Sequence, residues 1–188
     1  MISALFIRVD SVYKTLGIDC WDERRNALNW PGGNVGIYHP PCRTWGRLRG
    51  LSVGNGCEKL LAVWAVAQVR AFGGVLEHPA DSSLWPYCRL PKGLSRDVYG
   101  GFTLSVDQHW FGHKAEKRTF LYIVGCEPRS LPAYPLSLDA VTHVISQTKR
   151  SRYQGKRELS KSARERTPPE MAHWLINVCK QIERNEKI

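Results

Sequence analysis

No stretch of the chain reaches 18 consecutive apolar residues, which excludes a membrane-spanning helix. The opening MISALFIRVDSVYK has no basic segment ahead of an apolar one and no small-residue cleavage site. No signal peptide is expected, and the expected location is the cytoplasm. Cys20, Cys42, Cys57, Cys88, Cys126 and Cys179 stand singly with no CxxC pair, which argues against a disulfide framework and for free thiols. No HExxH is present, and no Lys-Ser/Thr follows the GNVG and GNG stretches, so neither a zinc protease nor a phosphate loop is indicated. No internal repeat is found. Acidic residues are scarce: 17 Asp and Glu against 27 Lys and Arg, a net charge of +10. That balance favours a polyanionic partner, nucleic acid or nucleotide, over the plainer alternative of a basic protein with no such partner.

What is there reads as one folded unit. A length of 188 residues fits one domain, 1–188, able to hide roughly 70% of its unfolded surface. Apolar residues at 43% and charged residues at 23% exclude wholesale disorder. Ser3–Ile7, Ile18–Trp21 and Val35–Tyr38 read as short buried strands, and Val75-Leu76-Glu77 as a strand tip closed by Pro79. Phe102–Val106 and Thr119–Val124 are two further strands flanking the polar connector Asp107–Arg118. A short helix is expected over Val12–Leu16, a polar helical piece over Asp22–Leu28, and a well-buried crossover helix over Cys57–Phe72 that ends at Gly73-Gly74. Pro168-Pro169 open a last helix, Glu170–Ile182, with Met171, Trp174, Leu175 and Val178 on one face. Asp81–Gly101 and Pro128–Pro135 read as loops. Strand and helix alternate, which points to a mainly parallel sheet covered by helices. In such sheets ligands bind beyond the carboxyl ends of the strands. Three of these ends carry polar residues, at Arg8–Ser11, His39–Cys42 and Glu77–Pro79.

These ends carry the candidate chemistry. In His39-Pro40-Pro41-Cys42-Arg43 two prolines stiffen the turn that presents Cys42. Arg43 and Arg47 beside it predict a positive field that lowers the thiol pKa and favours the thiolate nucleophile. The plainer reading is a small buried hydrophobe. Glu77-His78-Pro79 places a carboxyl group at the next strand end, suited to act as an acid toward a ring nitrogen; alone it reads equally as a capping or ion-paired glutamate. Trp45 and Trp85 each follow one of these motifs and are candidates to stack on bases, although such residues also serve as plain core. His109 and His113 are four apart near Asp107 and Glu116, but Trp110, Phe111 and Gly112 between them do not suit a helix. They read as structural histidines, with no metal site expected.

HPPC, then EHP, then AEKRTFLYIVG resembles the DNA (cytosine-5) methyltransferases, and the combination is similar to small methyltransferase-like proteins of bacterial viruses. The likeness spans roughly residues 35–180 and includes the late RERTPPEMAHWL, similar to the closing helix of that family. It implies a single Rossmann-like α/β domain of methyltransferase type, mainly parallel with an antiparallel end strand. It implies DNA cytosine modification, with Cys42 as the nucleophile that adds to cytosine carbon 6, Glu77 as the group protonating N3, and Arg118 as an orienting or phosphate-binding group. The target base would leave the duplex to reach them. S-adenosylmethionine would be the cofactor, with Phe6, Asp10, Ser11 and Asp22 in its site. The family's first strand ends in a glycine loop, whereas Phe6-Ile7-Arg8-Val9-Asp10-Ser11 contains none. The residues themselves therefore predict weak or absent S-adenosylmethionine binding, with Arg8 meeting a phosphate instead. This departure sustains a second hypothesis: a non-catalytic viral protein that binds a nucleotide or nucleic acid in the same crevice and acts by sequestration or blocking.

Nucleic-acid contacts are expected from Arg8, Arg43, Trp45, Arg47, His78 and Trp85, and from a basic segment over 147–166 that includes Lys149, Arg150, Arg152, Lys156 and Arg157. This segment is expected to be exposed and mobile. A solvated charge run is the plainer reading and a phosphate-facing segment the sharper one.

Overall fold

The computed structural model describes residues 1–46, 56–137, 139–146 and 154–185. The short apolar runs form a six-stranded sheet: β1 (Ile2–Ile7), β2 (Asp19–Asp22), β3 (Val35–Tyr38), β4 (Gly74–Pro79), β5 (Phe102–Asp107) and β6 (Arg118–Val124), in the order β2-β1-β3-β4-β6-β5. β1 pairs parallel with β2 and β3, and β3 parallel with β4. β6 is antiparallel to both of its neighbours. The antiparallel strand is thus one in from the edge, and β5, at the edge, runs with the other four. The reason is the short connector between β5 and β6, which can only fold the chain back on itself, whereas parallel neighbours need a long crossover. A second, two-stranded parallel sheet pairs β7 (His143–Val144) with β8 (Arg157–Glu158).

Helices cover both faces, which is why the strands are apolar without alternation. On one face α1 (Gly56–Phe72) packs Ala62, Ala65, Val66 and Val69 on Leu5, Tyr38, Leu76 and Tyr122. On the other, the last helix buries Met171, Trp174, Leu175, Val178 and Ile182 with Ala4, Ile37, Val75 and Ile123. Neighbours such as Val75 and Leu76 therefore serve opposite cores. α1 is the expected crossover, but only its inner side is buried; Leu60, Ala67 and Ala71 face outward. Its chain turns into β4 through Gly74, whose φ is +121° and whose position facing Gly36 leaves 1.9 Å between an added Cβ and the Gly36 carbonyl.

Val12–Thr15 is a 3-10 turn capped by Ser11, whose hydroxyl accepts from the Tyr13 amide at 3.4 Å. The helix expected over Asp22–Leu28 does not form. The Asp22 carboxylate accepts from the amides of Arg24 (3.0 Å) and Arg25 (3.2 Å), a local turn that competes with helix, and only Ala27–Asn29 makes a 3-10 turn. The later segments hold elements expected from residue order to be loop or charge run: α2 (Leu84–Tyr87) and α3 (Lys161–Glu165), the latter with β8 inside the basic segment. The last helix is α4 (Pro169–Asn185). Among the described residues, no helix is long and apolar enough to cross a membrane.

Candidate functional site

The carboxyl ends of β1 to β5 and the start of β6 lie on one rim, because β6 runs opposite to the rest. A cleft of about 2830 Å³ opens along this rim. Phe6, Arg8, Asp10, Ser11, Asp22, Cys42, Arg43, Glu77 and Arg118 all line it, so the three polar strand ends do converge. Acids and bases alternate along its walls; the net positive charge of the chain is not concentrated there.

Glu77 is the centre of the site. Its side chain is 13% exposed, and both carboxylate oxygens accept hydrogen bonds. The Gln108 amide nitrogen donates to Oε1 at 2.9 Å and to Thr119 Oγ1 at 3.0 Å. His39 Nδ1 lies 3.1 Å from Oε2, and His39 Nε2 lies 3.0 Å from the hydroxyl of the fully buried Tyr13. Burial alone would raise the Glu77 pKa. The nearby Lys117 charge and the His39 hydrogen bond outweigh it and hold the carboxyl at about 2. Because that carboxylate only accepts, His39 Nδ1 carries the hydrogen and donates it.

Cys42 sits across from it in the turn after β3. Its carbonyl accepts from the amides of Trp45 and Gly46, both at 3.0 Å, and the residue is exposed. The expected thiolate-favouring field is absent. Desolvation by the surrounding walls and the Glu77 charge push the thiol up, and Lys117 offsets them only in part. Arg43, expected to supply that field, instead clasps Glu58, with Nε 2.6 Å from Oε1. Arg47 lies outside the described residues.

The β1 end is occupied by its own side chains. Phe6 has a φ of 60° at a bulge where the β1–β2 register shifts, and its ring packs edge-on against Trp64. Arg8 donates to Asp10 (2.8 Å) and reaches Glu165 (3.4 Å), while Arg166 bonds Asp10 at 2.7 Å. Asp22 is buried and bound by Lys14 as well as by the two amides of its turn. Opposite this wall, Lys117 and Arg118 line the cleft and make no ion pair among the described residues.

Three candidates belong to the core instead. Trp45 is 1% exposed, with its indole N–H given to the Lys59 carbonyl at 3.2 Å. Trp85 is 8% exposed and donates to the Pro79 carbonyl at 2.8 Å. Neither offers a free face for a base. His78 is fully buried against the edge of Trp85, on the strand face opposite to Glu77, and burial, offset in part by the Glu77 charge and the Pro41 carbonyl, lowers its pKa to about 4. Period-two alternation along β4 accounts for this, since adjacent residues point to opposite faces. Lys156 and Arg157 are not on the cleft wall, and Lys149, Arg150 and Arg152 lie outside the described residues.

His109 and His113 turn to backbone. His109 Nδ1 lies 2.7 Å from the His113 carbonyl and Nε2 2.7 Å from the Asp139 carbonyl, while His113 Nδ1 lies 2.6 Å from that of Ala115. Among the described residues, no group of three His, Cys, Asp or Glu side chains is placed to hold a metal.

Four residues of the site were not among the sequence candidates: Tyr13, His39, Gln108 and Lys117. His39 and Lys117 stand inside the HPPC and AEKRT motifs, next to residues that were. Tyr13 and Gln108 carried no signal. No protein-family model matches the chain, and no curated protein matches it.

Proposed function

We propose that the protein is a nucleic-acid cytosine-modifying domain of methyltransferase type, with the target base held between the ends of β3 and β4. One observation carries this reading: Cys42 and Glu77 end two adjacent parallel strands and line the same cleft, so a thiol and a carboxylate reach opposite edges of one ring. The mainly parallel sheet with one antiparallel strand is compatible with it, although that strand lies one in from the edge and not at the end as expected. The size of the cleft supports it as well, well beyond the roughly 300–1,000 Å³ of a small-molecule site and suited to an extended chain with a base turned out of it.

The resting site holds a protonated thiol and an ionised carboxylate. The addition balances from that state. The thiol proton passes to Glu77 and on to N3 of the base, the sulfur forms a bond to carbon 6, and the ring electrons shift to leave an enamine with a nucleophilic carbon 5. Lys117 and Arg118 offer cations for the phosphates or the carbonyl of the nucleotide.

S-adenosylmethionine does not fit the residues present. Where the family uses glycine, the β1 end carries Arg8 and Asp10, tied across the cleft to Glu165 and Arg166, after Phe6 in a left-handed backbone. Asp22, the acid for a ribose, is already bound by Lys14. The chemistry assigned to this chain is therefore addition to the base, without methyl transfer. The same crowding, with the raised thiol, favours the second reading: a binding protein that holds a nucleotide or nucleic acid without catalysis.

Exchange at carbon 5 separates the two. In heavy water, cytosine-containing DNA incubated with the protein and no methyl donor is expected to gain deuterium at carbon 5, read by mass spectrometry. Cys42→Ser is expected to abolish the exchange while keeping DNA affinity. Binding with no exchange would select the non-catalytic reading.

A further inference from the structure

Glu77 accepts hydrogen bonds from the Gln108 amide in the turn after β5 and from His39 in the turn after β3. The other titratable groups that act on it are Lys117 in the connector before β6, His78 on its own strand and the Cys42 thiol, all without a hydrogen bond to it. The two donors are themselves backed by a buried group, Gln108 by Thr119 and His39 by Tyr13, and His39 is just 11% exposed. The Tyr13 hydroxyl can donate to Nε2 or accept from it. His39 therefore keeps its Nδ1–H on Glu77 whichever way that second bond runs, and its ring cannot turn away without breaking both.

We propose that His39 is a positioning residue that holds Glu77 at rest as an oriented acceptor, ready to take the Cys42 thiol proton and hand it to the base. The proposal rests on the cytosine reading of the cleft for its ligand, but the role of His39 toward Glu77 stands apart from it. Lys117 sits at the cleft wall and adds charge without fixing the direction of either oxygen.

The full chain, labelled with ¹³C at glutamate, is titrated by NMR as wild type, His39→Phe and His39→Asn, with the fold checked by thermal melting. Phenylalanine keeps the ring shape and removes both nitrogens. Asparagine places an amide donor near the position of Nδ1. The Glu77 carboxyl midpoint is expected to rise by about one pH unit or more in His39→Phe and to return toward the wild-type value in His39→Asn. If the phenylalanine variant fails to fold, His39→Leu carries the same expectation. An unmoved midpoint, or an asparagine variant no closer to wild type than the phenylalanine one, overturns the positioning role.

In a second arm, deuterium exchange at carbon 5 of a single-stranded oligonucleotide carrying one cytosine is read for the three proteins. The wild type is expected to exchange, His39→Phe to slow the exchange about tenfold or more, and His39→Asn to recover part of it. Equal exchange in all three overturns the link between His39 and the proton step. If none of the three exchanges, the cytosine reading fails, while the titration still decides what His39 does.

Discussion

The two walls of the cleft hold their charges in opposite ways. On the β1 side, Arg8, Asp10, Glu165 and Arg166 form a chain of ion pairs whose side chains are 37–61% exposed. On the β4 side one carboxylate is buried and met by directional donors, His39 and Gln108, with Gln108 only 1% exposed. Exposed pairs gain little, because water screens them and the long side chains must be ordered. A buried acceptor with its donors in place is set in both orientation and charge, and losing one donor leaves its partner unpaired. The first wall can therefore change partners at small cost, whereas the second is fixed.

Acid should show the difference most strongly. His78, behind the fixed wall, has a folded pKa of about 4 against an ordinary 6.5. It stays neutral in the fold, so the unfolded chain takes up more protons between those values. Stability is full above pH 6.5 and falls as the pH drops through 4, by about 3 kcal/mol. Glu77 is depressed from 4.5 to about 2, so its share is full above pH 4.5 and is lost as the pH falls toward 2. Urea melts from pH 8 to pH 3 are expected to show this decline, and His78→Leu to remove the upper window. An upper window that persists in that variant would move the acid sensitivity elsewhere.

The unpaired cations beside Glu77 give the next effect. Each phosphate neutralised adds roughly −0.9 to the slope of log K against log salt for duplex DNA. Lys117→Gln combined with Arg118→Gln is expected to flatten that slope by one to two such steps and to weaken binding at low salt. An unchanged slope would assign the affinity to the basic segment around Lys156 and Arg157 instead.

The smallest effect is expected at the exchangeable wall. Asp10→Asn, which removes the shared carboxylate of Arg8 and Arg166, should leave the melting temperature unchanged and should increase nucleic-acid affinity at low salt by releasing Arg166 and leaving Arg8 with Glu165 alone. A large loss of stability would show that the β1 wall is held no more loosely than the β4 wall.

Much of this was open to reading from residue order, and the limits have physical causes. Apolar runs cut by proline and glycine marked β1, β3 and β4, because a strand buried on both faces has no polar alternation to blur it. Cys42 and Glu77 were marked because each follows such a run directly. Trp45 and Trp85 follow the same motifs but turn inward, and an aromatic ring looks alike in sequence whether it packs or binds. The polar piece after β2 had the composition of a helix, yet one carboxylate, Asp22, closed a turn on the amides of Arg24 and Arg25 first.

By itself, then, the order of residues determined the six strands of the main sheet, its mainly parallel arrangement and the meeting of three polar strand ends, all of which follow from local pattern and from the geometry of crossovers. Tertiary structure alone decided the state of the chemistry there. His39 with Tyr13 behind it, Gln108 and Lys117 gather around Glu77 from four separate stretches of chain. Arg43 leaves Cys42 for Glu58, a residue at the start of another element. Hydrogen-bond direction and pKa depend on distances of a few ångströms between groups far apart in sequence, and those distances exist only once the sheet has brought its strand ends together.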